Sequence, residues 1–170
     1  MLVGRRKHVE FTNGQSFYYL GKSYRLLIVS DEQDAHVMPL KLDRGWFKLL
    51  SSKRRNAREL FIRWYIDNGK KWIEHKVRSF ENRIGVTTNR IRVLNLDNRW
   101  GSCTANGGLN FHWRTILAPP SIVEYIIVHE MIHLKVSSHT KEFWERVARI
   151  IPQYLERRLW LDENGIILDL

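Results

Sequence analysis

Residues 122–134 read Ile-Val-Glu-Tyr-Ile-Ile-Val-His-Glu-Met-Ile-His-Leu. On a helix, apolar residues from this run fall on almost every side, so the segment is expected to be buried. Pro119-Pro120-Ser121 opens it, and proline suits a first helical turn. Two histidines and a glutamate interrupt the apolar run. A buried charged carboxylate is costly unless it is paired or lies near a metal. His129 and His133 are four residues apart, so they stack on one helix face about a turn from each other. Two imidazoles so placed can reach one tetrahedral Zn²⁺. Glu130 lies beside them and can contact a water on the metal without ligating the metal itself. With seven His and eleven Glu in 170 residues, a random arrangement gives roughly 0.02 occurrences of His-Glu-x-x-His.

His139 adds a third imidazole. It follows His133 after Leu134-Lys-Val-Ser-Ser, a loop that ends the helix, and Ser137, Ser138 or Thr140 can cap the next one. Three protein ligands leave a fourth position open, the arrangement of a catalytic zinc site rather than a structural one. Three imidazoles also accept Co²⁺, Ni²⁺ or Cu²⁺. The remaining histidines, His8, His36, His75 and His112, lack ligand spacing. Cys103, the single cysteine, reads as a small buried hydrophobe and excludes an intrachain disulfide framework.

The chain carries a net charge of +10. Residues 1–90 hold 19 Lys/Arg and 9 Asp/Glu, whereas residues 91–170 hold 9 of each, so the whole excess sits in the first half. Nucleic acid or another acidic partner is one use of such an asymmetry. With 44% apolar residues the composition is globular rather than disordered or fibrous. The N-terminus lacks the apolar core of a secretory signal, and no apolar stretch is long enough to span a bilayer. A cytoplasmic protein without membrane contact is expected.

Along the chain, Gln15–Leu20 and Ser23–Val29 flank Gly21-Lys22 as a β-hairpin, and Val37–Leu42 is a third strand interrupted by Pro39. Lys53 to about Arg83 is helical, with Leu60, Phe61, Trp64, Tyr65, Trp72, Ile73, Val77 and Phe80 as its apolar stripe and a basic outer face. Asn68-Gly69 reads as a break between two helices. Arg90–Leu96 is strand-like, Trp100–Thr104 and Leu109–Leu117 form a hairpin around Asn106-Gly-Gly, and helices are expected near 119–134, 140–151 and 153–161. Phe143, Trp144, Val147 and Ile150 fall at core spacing.

Val128-His-Glu-Met-Ile-His-Leu-Lys-Val-Ser-Ser-His-Thr-Lys-Glu-Phe-Trp resembles the zinc-site segment of the YgjP-like metallopeptidases, relatives of the SprT-like and WLM zincins. Arg99-Trp-Gly-Ser-Cys, Ile116-Leu-Ala-Pro-Pro, Pro152-Gln-Tyr, Trp160-Leu and Tyr19-Leu-Gly-Lys-Ser-Tyr-Arg-Leu resemble other segments of that family. The resemblance implies an α+β, zincin-like fold. It divides the chain into an N-terminal β-rich region (1–50) and a metallopeptidase domain (51–170), expected to form one compact unit. It also implies that His129, His133 and His139 are the metal ligands and Glu130 the general base. Phe111-His112-Trp113 departs from the family, where an Asn often precedes this Trp, and Met131-Ile132 replaces a more usual Leu-Ala or Leu-Cys.

The expected function is zinc-dependent hydrolysis of peptide bonds, with Glu130 assisting attack by a zinc-bound water. The partner is then a protein or peptide, bound by strand addition near Trp100, Gly101, Ser102 and His112. Tyr154, His112 and Arg99 are candidates to stabilise the oxyanion. The alternatives are a DNA-associated, SprT-like protease using basic residues 53–83, and a metal-binding scaffold with little turnover.

Overall fold

A computed structural model describes residues 9–31 and 38–170; His8, His36 and Val37 lie outside them. The chain forms two small sheets and four α-helices, an α+β arrangement. Strands β1 (Ser16–Tyr19) and β2 (Lys22–Val29) make the expected hairpin. The turn needs Gly21, whose φ of +73° is left-handed and where a Cβ would come within 2.8 Å of Pro119 Cα. β3 (Leu40–Asp43) and β4 (Trp46–Leu50) complete a four-stranded sheet in the order β1-β2-β4-β3, with β2 and β4 parallel. Pro39 therefore precedes the third strand instead of interrupting it.

A 3-10 turn over Ser51–Asn56 leads into α1 (Ala57–Ile84), a single helix of 28 residues. The expected break at Asn68-Gly69 does not occur. Gly69 is buried, and an added Cβ would lie 3.3 Å from Ile116. The glycine is thus explained by close packing against a neighbouring segment, with the helix hydrogen bonds uninterrupted. Gly85, at φ +72°, ends α1 as a left-handed cap with its N–H on the Glu81 carbonyl.

The apolar side of α1 joins the two sheets. Phe61 stacks on Phe17 at 4.2 Å between ring centroids and meets Phe47 at 4.9 Å. Tyr65 stacks on Trp113 at 6.0 Å, and its hydroxyl donates to the Tyr18 carbonyl at 2.8 Å. The basic residues are partly committed: Arg54 of the preceding 3-10 turn donates to the Phe11 carbonyl, and on α1 Lys76 pairs with Glu124 at 2.7 Å and Arg78 with Glu81 at 2.6 Å.

The second sheet has the order β5-β7-β6, from β5 (Ile91–Leu94), β6 (Gly101–Cys103) and β7 (Leu109–His112). β7 is shorter than the sequence suggests, because Trp113–Leu117 turns into a buried 3-10 segment. Three helices follow: α2 (Pro120–His133), α3 (Lys141–Ile150) and α4 (Tyr154–Asn164). α2 is almost wholly buried, as its apolar run requires. Among the described residues no helix is long and apolar enough to cross a membrane.

Candidate metal centre and cleft

The last turn of α2 carries His129, Glu130 and His133. Beyond it the chain reverses through Leu134–Ser138, with the Val136 N–H on the Ile132 carbonyl. Thr140 then caps α3, its hydroxyl accepting the Phe143 N–H at 3.4 Å. This cap fixes His139, the residue just before it, and turns it back toward α2. The three Nε2 atoms form a near-regular triangle: 3.2 Å between His129 and His133, 3.1 Å between His133 and His139, and 3.0 Å between His129 and His139.

Three ring nitrogens this close cannot all point N–H groups at one another. Burial holds His129 well below the usual histidine value, at about 3, with repulsion from His133 and His139 adding to it. Burial and His133 also lower His139. His129 and His139 are therefore held toward the neutral form, with lone pairs free to converge. His133 has its Nδ1 against the Val136 carbonyl at 3.1 Å; that carbonyl can only accept, which favours the tautomer with N–H at Nδ1 and the lone pair on Nε2. Tetrahedral zinc with bonds of about 2.0–2.1 Å needs its nitrogens about 3.3 Å apart, so the donor set fits such an ion. An aromatic wall holds the rings in place: Phe143 lies 4.4 Å from His133 and 4.8 Å from His139, and Trp144 stacks on His139 at 5.5 Å. The spacing of Phe143 and Trp144 was readable as core, but their contact with the imidazoles depends on how α3 docks.

These residues open onto a cleft of about 970 Å³, lined by His129, Glu130, His133 and His139 on one side and by 96–99 and 101–105 on the other. Burial pushes the Glu130 carboxyl up to about 7, against the pull of the Arg99 guanidinium. β6 runs directly over Glu130: a Cβ on Gly101 would sit 2.7 Å from Glu130 Cγ and 3.1 Å from its Oε1. Ser102, Cys103 and Arg99 also line the cleft, and burial raises the Cys103 thiol.

Other candidates lie elsewhere. Trp100 is buried, with Gly165 packed on its ring. His112 is buried outside the cleft lining. Its Nδ1 accepts the Arg114 N–H at 3.0 Å, its ring bonds the Leu96 carbonyl, and burial lowers it to about 4. It is therefore engaged in holding the 3-10 segment. Tyr154 stacks on the far side of Trp144 at 5.4 Å and does not line the cleft. Tyr125, one turn before His129 and packed against it, drew no notice in the sequence because its position reads as helix core.

Two known proteins resemble the chain at lower similarity. One, from Escherichia coli strain K12, is named a UTP pyrophosphatase; it is 27% identical over 123 residues, which span 70% of this chain and 71% of that protein. The other is the solved structure of the metallopeptidase zymogen abylysin of Pyrococcus abyssi, 19% identical with a TM-score of 0.48, matching 53% of this chain and 93% of that one. The model of the YgjP-like metallopeptidase domain matches residues 3–164. The chain carrying this histidine triangle belongs to the YgjP-like metallopeptidase family.

Proposed function

We propose that the cleft is a zincin-like, metal-dependent hydrolytic centre that cleaves peptide bonds. His129, His133 and His139 would hold the cation, zinc being the best match to three imidazoles, with cobalt or nickel as substitutes. The convergence of their Nε2 atoms to 3.0–3.2 Å, next to a carboxyl raised to about 7, is the observation that carries this reading. When bound, the cation supplies Lewis acidity at the reacting carbonyl. Glu130 takes a proton from the attacking water and returns one to the leaving nitrogen, and a value near neutrality suits both transfers. β6 is an edge strand whose residues line the cleft, so an extended polypeptide can add to it through main-chain hydrogen bonds. Arg99 is the oxyanion candidate that lines this space; His112 and Tyr154 would act only through other residues.

A second reading is hydrolysis of a nucleotide phosphoanhydride at the same centre. It is favoured by the name of the E. coli relative and by the Arg99 guanidinium beside Glu130, a cation suited to phosphate. The test uses protein purified without a nickel column. Metal content is measured first, then turnover of an unfolded polypeptide and of UTP. Glu130→Gln is expected to keep the metal and lower turnover about 10²- to 10⁴-fold. Full activity in that variant overturns the base assignment, and UTP turnover without proteolysis decides for the second reading.

A further inference from the structure

The outer face of the β5-β7-β6 sheet is polar, and it holds a groove of about 520 Å³ lined by Asn89, Arg90, Arg92, Thr104, Asn106 and Asn110. No carboxylate lines it. Arg90, just before β5, and Arg92, its second residue, are two apart, and the Leu109 N–H on the Arg90 carbonyl extends the ladder to Arg90, which places both side chains on one face. Among the described residues neither guanidinium has an ion-pair or hydrogen-bond partner. Two arginines without counter-charge on one small surface repel each other, and the arrangement is relieved by an anion that both can contact.

The sheet register connects this groove to the cleft. Arg92 pairs with Asn110 across β5 and β7, and Asn110 pairs with Ser102 across β7 and β6. Asn110 donates to the Ser102 hydroxyl at 3.3 Å, leaving its second amide N–H available. Ser102 and Thr104 both line the cleft, and Thr104 lines the groove as well. With strands about 4.8 Å apart, the row from Arg92 to Ser102 is about 10 Å long. Thus a polar track, basic at its far end, leads from the metal centre over the sheet edge.

We propose that this track is an anion subsite that holds phosphate groups of a ligand reaching out of the cleft. Its role rests on the phosphoanhydride reading above, but its binding can be tested without metal or turnover. The probe is inorganic triphosphate, titrated calorimetrically into metal-free protein so that chelation cannot contribute. Binding that weakens with salt is expected, with a loss of about tenfold for each of Arg90→Ala and Arg92→Ala. Both side chains are exposed, so the variants should fold, and circular dichroism checks this. Arg63→Ala and Lys71→Ala on α1, made singly, each remove one charge elsewhere and should leave affinity unchanged. Glu130→Gln should bind normally, which separates this result from any failure of the hydrolytic assignment. Absence of triphosphate binding, an equal loss in either α1 control, or equally tight binding of a glutamate-rich peptide overturns the proposal.

Discussion

Gly101 shows how a single residue can be fixed by its neighbour's chemistry. Its φ is unexceptional; what forbids a side chain is the Glu130 side chain, whose Cγ, Cδ and Oε1 lie 2.7–3.1 Å from where the Cβ would stand. β6 therefore presses backbone onto the catalytic candidate and keeps it dry, consistent with the raised Glu130 value. Gly101→Ala should cost about 1–3 kcal/mol of stability by overpacking and push the carboxylate out of line, lowering turnover while metal content stays unchanged. Urea unfolding of the pair provides the check. In a Glu130→Ala background the space is vacant and the cost of Gly101→Ala should nearly vanish; an undiminished cost would show that the glycine serves something other than Glu130. His139 is the exposed corner of the triangle. His139→Ala should strip the metal on dialysis yet leave the stability of metal-free protein within about 0.5 kcal/mol of the parent, as for other surface substitutions.

At the scale of elements, α1 sets two tendencies against each other. Alanine is the better helix former by about 1 kcal/mol, but at position 69 its methyl would crowd Ile116 at 3.3 Å. Crowding of a packed interface costs about 1–3 kcal/mol, so Gly69→Ala is expected to destabilise in a thermal melt; stabilisation would refute the packing explanation. The C-terminal end of α1 is held by Glu81, which accepts the Thr88 N–H at 2.8 Å, the Thr88 hydroxyl at 2.7 Å and Arg78 at 2.6 Å. Burial alone would raise this carboxyl, but the three hydrogen bonds outweigh it and hold it below its ordinary value. A depressed folded-state value contributes stability that is present above the unfolded value, near pH 4.3, and is lost as pH falls through the folded one. The advantage of the parent over Glu81→Gln, about 1 kcal/mol at pH 7, should therefore shrink by pH 3. Such elements also show what was legible. His129 and His133 were readable because four-residue spacing fixes their common helix face, with Glu130 beside them, and His139 because capping residues stand close to it on either side; that Thr140, rather than Ser137 or Ser138, is the cap came only from the fold. The Asn68-Gly69 pair misled because a buried glycine and a breaking glycine look alike in one dimension. The orientation of His112 and Tyr154 depends on how strands and helices pack, which no spacing encodes.

For the whole molecule the question is whether the N-terminal sheet and the helical body are separable. We propose that they fold as one unit. The hairpin donates main-chain N–H groups from Leu20 and Gly21 to the Ile116 and Leu117 carbonyls at 2.8 and 3.2 Å, and Pro119, which starts the run into α2, packs on Gly21. Phe17 of β1 stacks on Phe61 of α1. At the other end, Asp169 pairs with Arg114 at 2.6 Å, both side chains nearly inaccessible, and ties the C-terminal segment to the same 3-10 turn. Apart from the Phe17–Phe61 stack, those links converge on residues 113–119, directly ahead of the metal helix, so loosening the hairpin should loosen the histidine triangle. Phe17→Ala removes a 3% exposed aromatic and should cost about 3–5 kcal/mol. Because the damage is shared, far-ultraviolet dichroism, tryptophan fluorescence and metal release should move together to a lower midpoint. If instead fluorescence split into two transitions, with metal retained through the first, the β-rich region would be a separate module and its contact with α1 only a docked surface.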